Sequence, residues 1–172
     1  EEAYQQEHKQ WQSFLERLRA LSTEGMDFEQ QISLRMMTAQ VQRSIDAIAY
    51  QEYQMPLLAD SGFYSYLFFM PQNLSFNSEQ DYLNYLARLE KVPTLFQQHQ
   101  ENMRHGMARG FTQAKVVLQG TADAVRRLVE DIENSAFYQP FADMPDTISP
   151  ERQAALQQQA KRTLQQSVRQ SY

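Results

Sequence analysis

The 172-residue chain contains no cysteine, which excludes disulfides, thiolate nucleophiles and thiolate zinc sites together. Compartment stays open, since a disulfide-free protein can work in cytosol or periplasm. Glycine and proline number only 5 and 6, too few and too scattered for a phosphate-cradling loop, and this scarcity favours helices separated by short breaks. No apolar run approaches the roughly 18 residues of a membrane span, so no transmembrane segment is expected. The first residues also lack the basic start and apolar middle of a signal peptide. Positive charge is not in excess either. The 16 basic residues face 21 acidic ones for a net charge of -5, and the basic residues form no stripe, so nucleic acid is not an expected partner.

What is present is a helical pattern. The length suits a single helical lobe over 1–172, large enough to bury a core without metal or disulfide staples. Trp11, Phe14, Leu15, Leu18 and Leu21 recur at three- and four-residue steps, predicting a helix over about 4–21. Gly25 and Asp27 break the chain before a long helix over about 28–53, with Ile32, Met36, Ala39 and Arg43 on one line and Leu34, Met37, Val41, Ile45 and Ile48 on the next. So wide an apolar surface predicts more than one neighbour. Asn77 or Ser78 reads as the cap of a third helix, with Asp81 three residues after Ser78 placed to reach back to its amide and Tyr82, Tyr85, Leu86 and Leu89 buried. Val92-Pro93 redirects the chain into a helix over about 94–109 with Leu95, Phe96, Met103 and Met107 apolar, and Gly110 stops it. A fifth helix is expected over about 112–133, on the line Val117, Thr121, Val125, Leu128 and Ile132. Ser149-Pro150 opens the last helix, whose thin stripe of Leu156, Ala160, Leu164 and Val168 predicts a need for an outside partner. The fold class is therefore all-α, an irregular bundle of about six helices with an aromatic loop at about 61–71.

No set of residues along this pattern assembles a reaction centre. Histidine is limited to His8, His99 and His105, and His99 and His105, six apart, fall on different faces of a helix. A zinc helix needs a His-Glu-x-x-His arrangement with ligands four apart. Glu52, Asp60, Glu101, Asp123, Glu130, Asp131 and Glu133 supply carboxylates, but their spacing selects no acid-base pair. Glu101 and Arg104 have the spacing of a weak surface pair. No serine sits in a nucleophile elbow. Catalytic, cofactor-binding and metal-binding residues are accordingly expected to be none.

The residues that invite a functional reading are Phe63, Tyr64, Tyr66, Phe68 and Phe69. Aromatics on a non-helical segment could line a cleft or contact a partner; the competing reading is that they fill the core. The same choice, lid or packed connector, applies to Phe137, Tyr138, Pro140 and Phe141.

An ordered series of short phrases runs through the chain: Ser-Glu-Gln-Asp-Tyr-Leu-Asn-Tyr-Leu-Ala-Arg-Leu from Ser78, Glu-Asn-Met-Arg-His-Gly-Met-Ala-Arg-Gly-Phe-Thr from Glu101, and Ala-Phe-Tyr-Gln-Pro-Phe from Ala136. In these phrases the chain resembles the amino-terminal part of the bacterial domain of unknown function 885 family, over about residues 28–172. The resemblance implies a long helical protein, often a lipoprotein, hence a periplasmic or membrane-anchored setting, and a similarity to zinc peptidases whose His-Glu motif lies far downstream. No His-Glu dipeptide occurs here. The resemblance therefore implies a non-catalytic front lobe, the N-terminal fragment of a longer zinc-peptidase-like protein, walling a channel that admits peptides. It also implies that zinc belongs to the full-length parent and not to this chain, and that the partners are the parent's downstream part and a peptide substrate. The beginning at Glu1-Glu2 and the end at Ser171-Tyr172 are read as cut points consistent with this. The alternatives are a helical protein-interaction module with no link to peptidase activity, and a helical bundle that binds a small molecule.

Overall fold

The computed structural model describes residues 2–58 and 61–172 and is mainly helical, with no strand among the described residues. Two compact units divide the chain, Glu1–Gln54 and Met55–Tyr172.

The first unit is a helical hairpin of α1 (Glu2–Arg19) and α2 (Phe28–Ala49). Asp27 starts α2 through a reciprocal capping box: its carboxylate accepts from the Gln30 amide at 2.8 Å, and the Gln30 side chain accepts from the Asp27 amide at 3.0 Å. Leu15, Leu18, Val41 and Ile45 form the core, with Trp11, Phe14 and Leu34 packed against it. Of the two lines expected on α2, only the one through Val41 and Ile45 faces this core. Met36, Ala39 and Arg43 are exposed, so the predicted second apolar contact of α2 is not made within the hairpin. Leu21 is likewise exposed. The helix ends at Ala49, earlier than expected, where Gln51 takes a left-handed φ of 58° before a 3₁₀ turn over Glu52–Gln54. Tyr53 of that turn stacks on Tyr4, rings 4.0 Å apart and 7° from parallel.

The second unit holds the larger core, in which Tyr82, Tyr85, Phe137, Phe141, Leu156 and Leu164 are fully enclosed. Its elements are α3 (Phe63–Phe69), α4 (Glu79–Leu89), α5 (Val92–Ala108), α6 (Thr121–Arg127), α7 (Gln139–Ala142), α8 (Pro150–Thr163) and α9 (Arg169–Ser171). Ser78 and Asp81 start α4 as their spacing predicts, Asp81 Oδ2 accepting from the Ser78 amide and hydroxyl, both at 2.8 Å, and from the Asn77 amide at 3.1 Å. Those bonds favour the charged carboxylate and hold Asp81 below the usual acid range. At the far end of α5, Gly110 adopts a φ of 76° and lets the Phe111 amide reach back to the Gly106 carbonyl at 2.8 Å, closing the helix. Met107, expected inside, is exposed.

The helix predicted over 112–133 survives only as α6. Gly120 sits in its middle with a φ of 85°, a left-handed conformation that ends any right-handed run, and the flanking residues form successive turns. Val129 and Ile132 still reach the core from those turns. The last helix, predicted to need an outside partner, finds its partners within the unit: Leu156, Ala160, Leu164 and Val168 are all fully buried. Residues four apart drift about 40° per step around an α-helix. A wider π-turn over Leu164–Val168 between α8 and α9 counters that drift and keeps the stripe on the core. The glutamines beside the stripe are used as well, since Gln153 donates to the Pro145 and Ile148 carbonyls and Gln157 to that of Phe141. The aromatic connector is packed rather than lid-like: Phe137 and Phe141 are enclosed, and Tyr138 lies under the Lys161 ammonium at 5.6 Å.

Candidate contact surface

The stretch expected to be an aromatic loop is a helix, α3, followed by a 3₁₀ turn over Met70–Asn73. Gly62 and Ser65 start it. The Gly62 amide donates to Ser65 Oγ at 3.2 Å, the Ser65 hydroxyl donates to the Gly62 carbonyl at 2.7 Å, and the Ser65 amide donates to that carbonyl at 3.0 Å. An antiparallel bridge between Leu57 and Gly62 holds the entry. A Cβ at Gly62 would stand 2.9 Å from the Pro56 carbonyl oxygen and 3.0 Å from side-chain carbons of Leu57 and Tyr64, so only glycine fits unshifted. Pro71, buried in the turn after α3, ends the α-helical run.

Helical geometry sorts the five aromatics onto three faces. Tyr64 and Phe68, four apart, point inward. Tyr64 meets Tyr172 edge-on at 6.5 Å, and Phe68 meets Phe137 edge-on at 5.8 Å. Phe63 packs sideways on α5, edge-on to Phe96 at 4.9 Å and flat on the imidazole of His99 at 4.1 Å. Tyr66 and Phe69, three apart on the remaining face, are 78% and 52% exposed. The structure therefore brings Tyr66 and Phe69 together as an exposed aromatic edge and places Phe63, Tyr64 and Phe68 in packing roles.

Two phenols pin the frame behind this edge. Tyr172 donates to the Tyr64 carbonyl at 2.6 Å, and Tyr85 donates to the Phe137 carbonyl at 3.1 Å. Burial pushes both phenols well above their ordinary range, so both remain protonated donors at any physiological pH.

The residues weighed for chemistry do not converge. His8 lies in the first unit, His105 is exposed near the end of α5, and His99 is half-buried, its pKa lowered by desolvation and its Nδ1 without a hydrogen-bond partner. Glu133 bridges to Lys161 at 3.0 Å, Asp123 to Arg126 at 2.9 Å, and Asp131 caps Asn134. Glu101 and Arg104 form no bridge, and Asp60 lies outside the described residues. Among the described residues no three His, Cys, Asp or Glu side chains are grouped to hold a metal ion, so the donor set present does not fit the zinc of a peptidase centre.

The model for bacterial proteins of unknown function, DUF885, matches residues 1–172. The chain belongs to this family. The match takes in α1 as well as the region that the sequence phrases pointed to, so both compact units are part of the DUF885 region. No curated protein and no solved structure matches significantly. Among the described residues no helix is long and apolar enough to cross a membrane.

Sequence reasoning missed the groove beside the aromatic edge, where Leu67 and Met70 face Val92 and Leu95 of α5. The available signal was the four-residue step from Phe63 to Leu67, masked because almost every neighbour is also apolar.

Proposed function

We propose that this DUF885 chain is a non-catalytic helical lobe of a longer zinc-peptidase-like protein, forming one wall of a channel that admits peptides. The observation that carries the reading is the pair Tyr66 and Phe69, large aromatic side chains held out to solvent on an ordered helix whose other two faces are packed. Exposed aromatics on a rigid element suit contact with another chain, because little side-chain entropy is lost when they are covered. In this reading the parent's downstream part supplies the zinc and the lobe supplies the wall, in a periplasmic or lipid-anchored protein.

The test pairs this chain with the downstream part of its parent expressed separately. Association of the two, weakened by Tyr66→Ser and Phe69→Ser, with zinc and peptide hydrolysis confined to the downstream part, is the expected result. Stoichiometric zinc or peptide hydrolysis by this chain alone would overturn the reading. The same exposed pair also suits a helical interaction module unconnected with peptidase chemistry. Capture of a foreign protein, together with failure to bind the parent's downstream part, would favour that second reading.

A further inference from the structure

A groove on the larger unit carries its own chemical signature. An open groove of about 480 Å³ runs between α3 and the junction of α4 with α5. Leu67 and Met70 form one side, and Val92 and Leu95 the floor and the other side. Among the described residues its only charged lining side chains are Arg88 and Lys91, and no described carboxylate lines it. Both cations are exposed, and neither forms an ion pair among the described residues. In a chain of net charge -5, an apolar trough flanked by two unpaired cations is a local reversal of sign.

We propose that this groove docks an acidic amphipathic helix of a partner protein, apolar face down on Leu67, Met70, Val92 and Leu95, with Asp or Glu side chains along one flank against Arg88 and Lys91. Charge complementarity selects this occupant. A basic helix would place like charges together at the rim, and a purely apolar one would leave two cations partly desolvated without counter-charge. Helix-in-groove docking supplies the apolar burial, and the rim charges set orientation and choice of partner.

The test uses this chain and a synthetic amphipathic peptide of about 15 residues, with leucine on one face and glutamate on the other, followed by fluorescence anisotropy. A matching peptide with lysine in place of glutamate and decanoate as an anionic lipid probe are titrated in parallel. The glutamate peptide should bind. The double reversal Arg88→Glu with Lys91→Glu should weaken it roughly tenfold, and the same variant should gain affinity for the lysine peptide. Thr94→Glu, an exposed change on the groove lip, should also weaken the glutamate peptide and serves if the double variant does not fold. Equal binding of both peptides, indifference to the charge reversal, binding of decanoate in place of the peptide, or self-association that the reversal abolishes would each overturn the proposal.

Discussion

The imidazole of His99 lies on the ring of Phe63, their centroids 4.1 Å apart and the planes 18° from parallel. This stack joins α3 to α5, and its surroundings favour the neutral ring, because burial disfavours the imidazolium and Nδ1 finds no hydrogen-bond partner. The folded-state pKa is therefore below the unfolded value near 6.5, and the unfolded chain takes up the proton more readily. The contribution of His99 should be constant above about pH 7 and should decline as pH falls through the unfolded pKa. Urea melts from about pH 8 to about pH 5 check this. His99→Leu should flatten the profile in that window; an unchanged slope would show that His99 is not its source.

Gly62 should tolerate no larger residue. Because its φ is extended, the obstacle is space and not backbone strain, with three atoms at 2.9 to 3.0 Å from a would-be Cβ. Gly62→Ala should destabilise the second unit by about 1–3 kcal/mol, measured as a shifted urea midpoint with an unchanged slope. Gly25, whose Cβ position is open but whose φ is 80°, provides the contrast. There Ala should cost only about 1 kcal/mol, from the left-handed conformation.

The elements that could be read from sequence were those with a contrast between polar and apolar positions. α4 shows it best: Ser78 and Asp81 mark its start, and Tyr82, Tyr85, Leu86 and Leu89 are all buried. α3 is not legible in the sequence because Phe63, Tyr64, Tyr66, Leu67, Phe68 and Phe69 leave too few polar residues to reveal a period, and its three faces become distinct only through tertiary packing. The helix around Gly120 was overextended because the spacing of Val117, Val125 and Ile132 looks helical whether the chain runs as one helix or as turns that return to the same core. A backbone φ of 85° at one glycine decided it. The exposed pair Tyr66 and Phe69 lay within the five aromatics singled out, but no local signal separated these two from the three that pack inward.

Tyr85 tests whether the aromatic core is held by shape alone. Its hydroxyl donates to the Phe137 carbonyl across 52 residues of sequence. Tyr85→Phe preserves the ring contacts with Phe76 and Phe141 and leaves a buried carbonyl unpaired, at an expected cost of about 1–2 kcal/mol. Leu156→Ala, which opens a cavity in a fully enclosed site, should cost more, about 2–5 kcal/mol. A Tyr85→Phe protein as stable as the parent would show that the hydrogen bond contributes nothing net.

The two compact units should differ in autonomy. The first rests on Leu15, Leu18, Val41 and Ile45, a core small for a 54-residue hairpin without staples. The second almost completely encloses Tyr82, Tyr85, Phe137, Phe141 and Leu156 with several further aliphatic side chains, and adds the Tyr85 and Tyr172 hydrogen bonds between distant segments. A fragment of residues 55–172 should keep its helical circular dichroism, melt cooperatively and bind little ANS, whereas residues 1–54 alone should melt broadly. The packing of α3, of the stripe on the last helix and of the groove beside α5 depends on a core that the second unit forms by itself. Strong ANS binding by the 55–172 fragment, with loss of near-ultraviolet signal from its tyrosines, would show that this core needs the first unit to form.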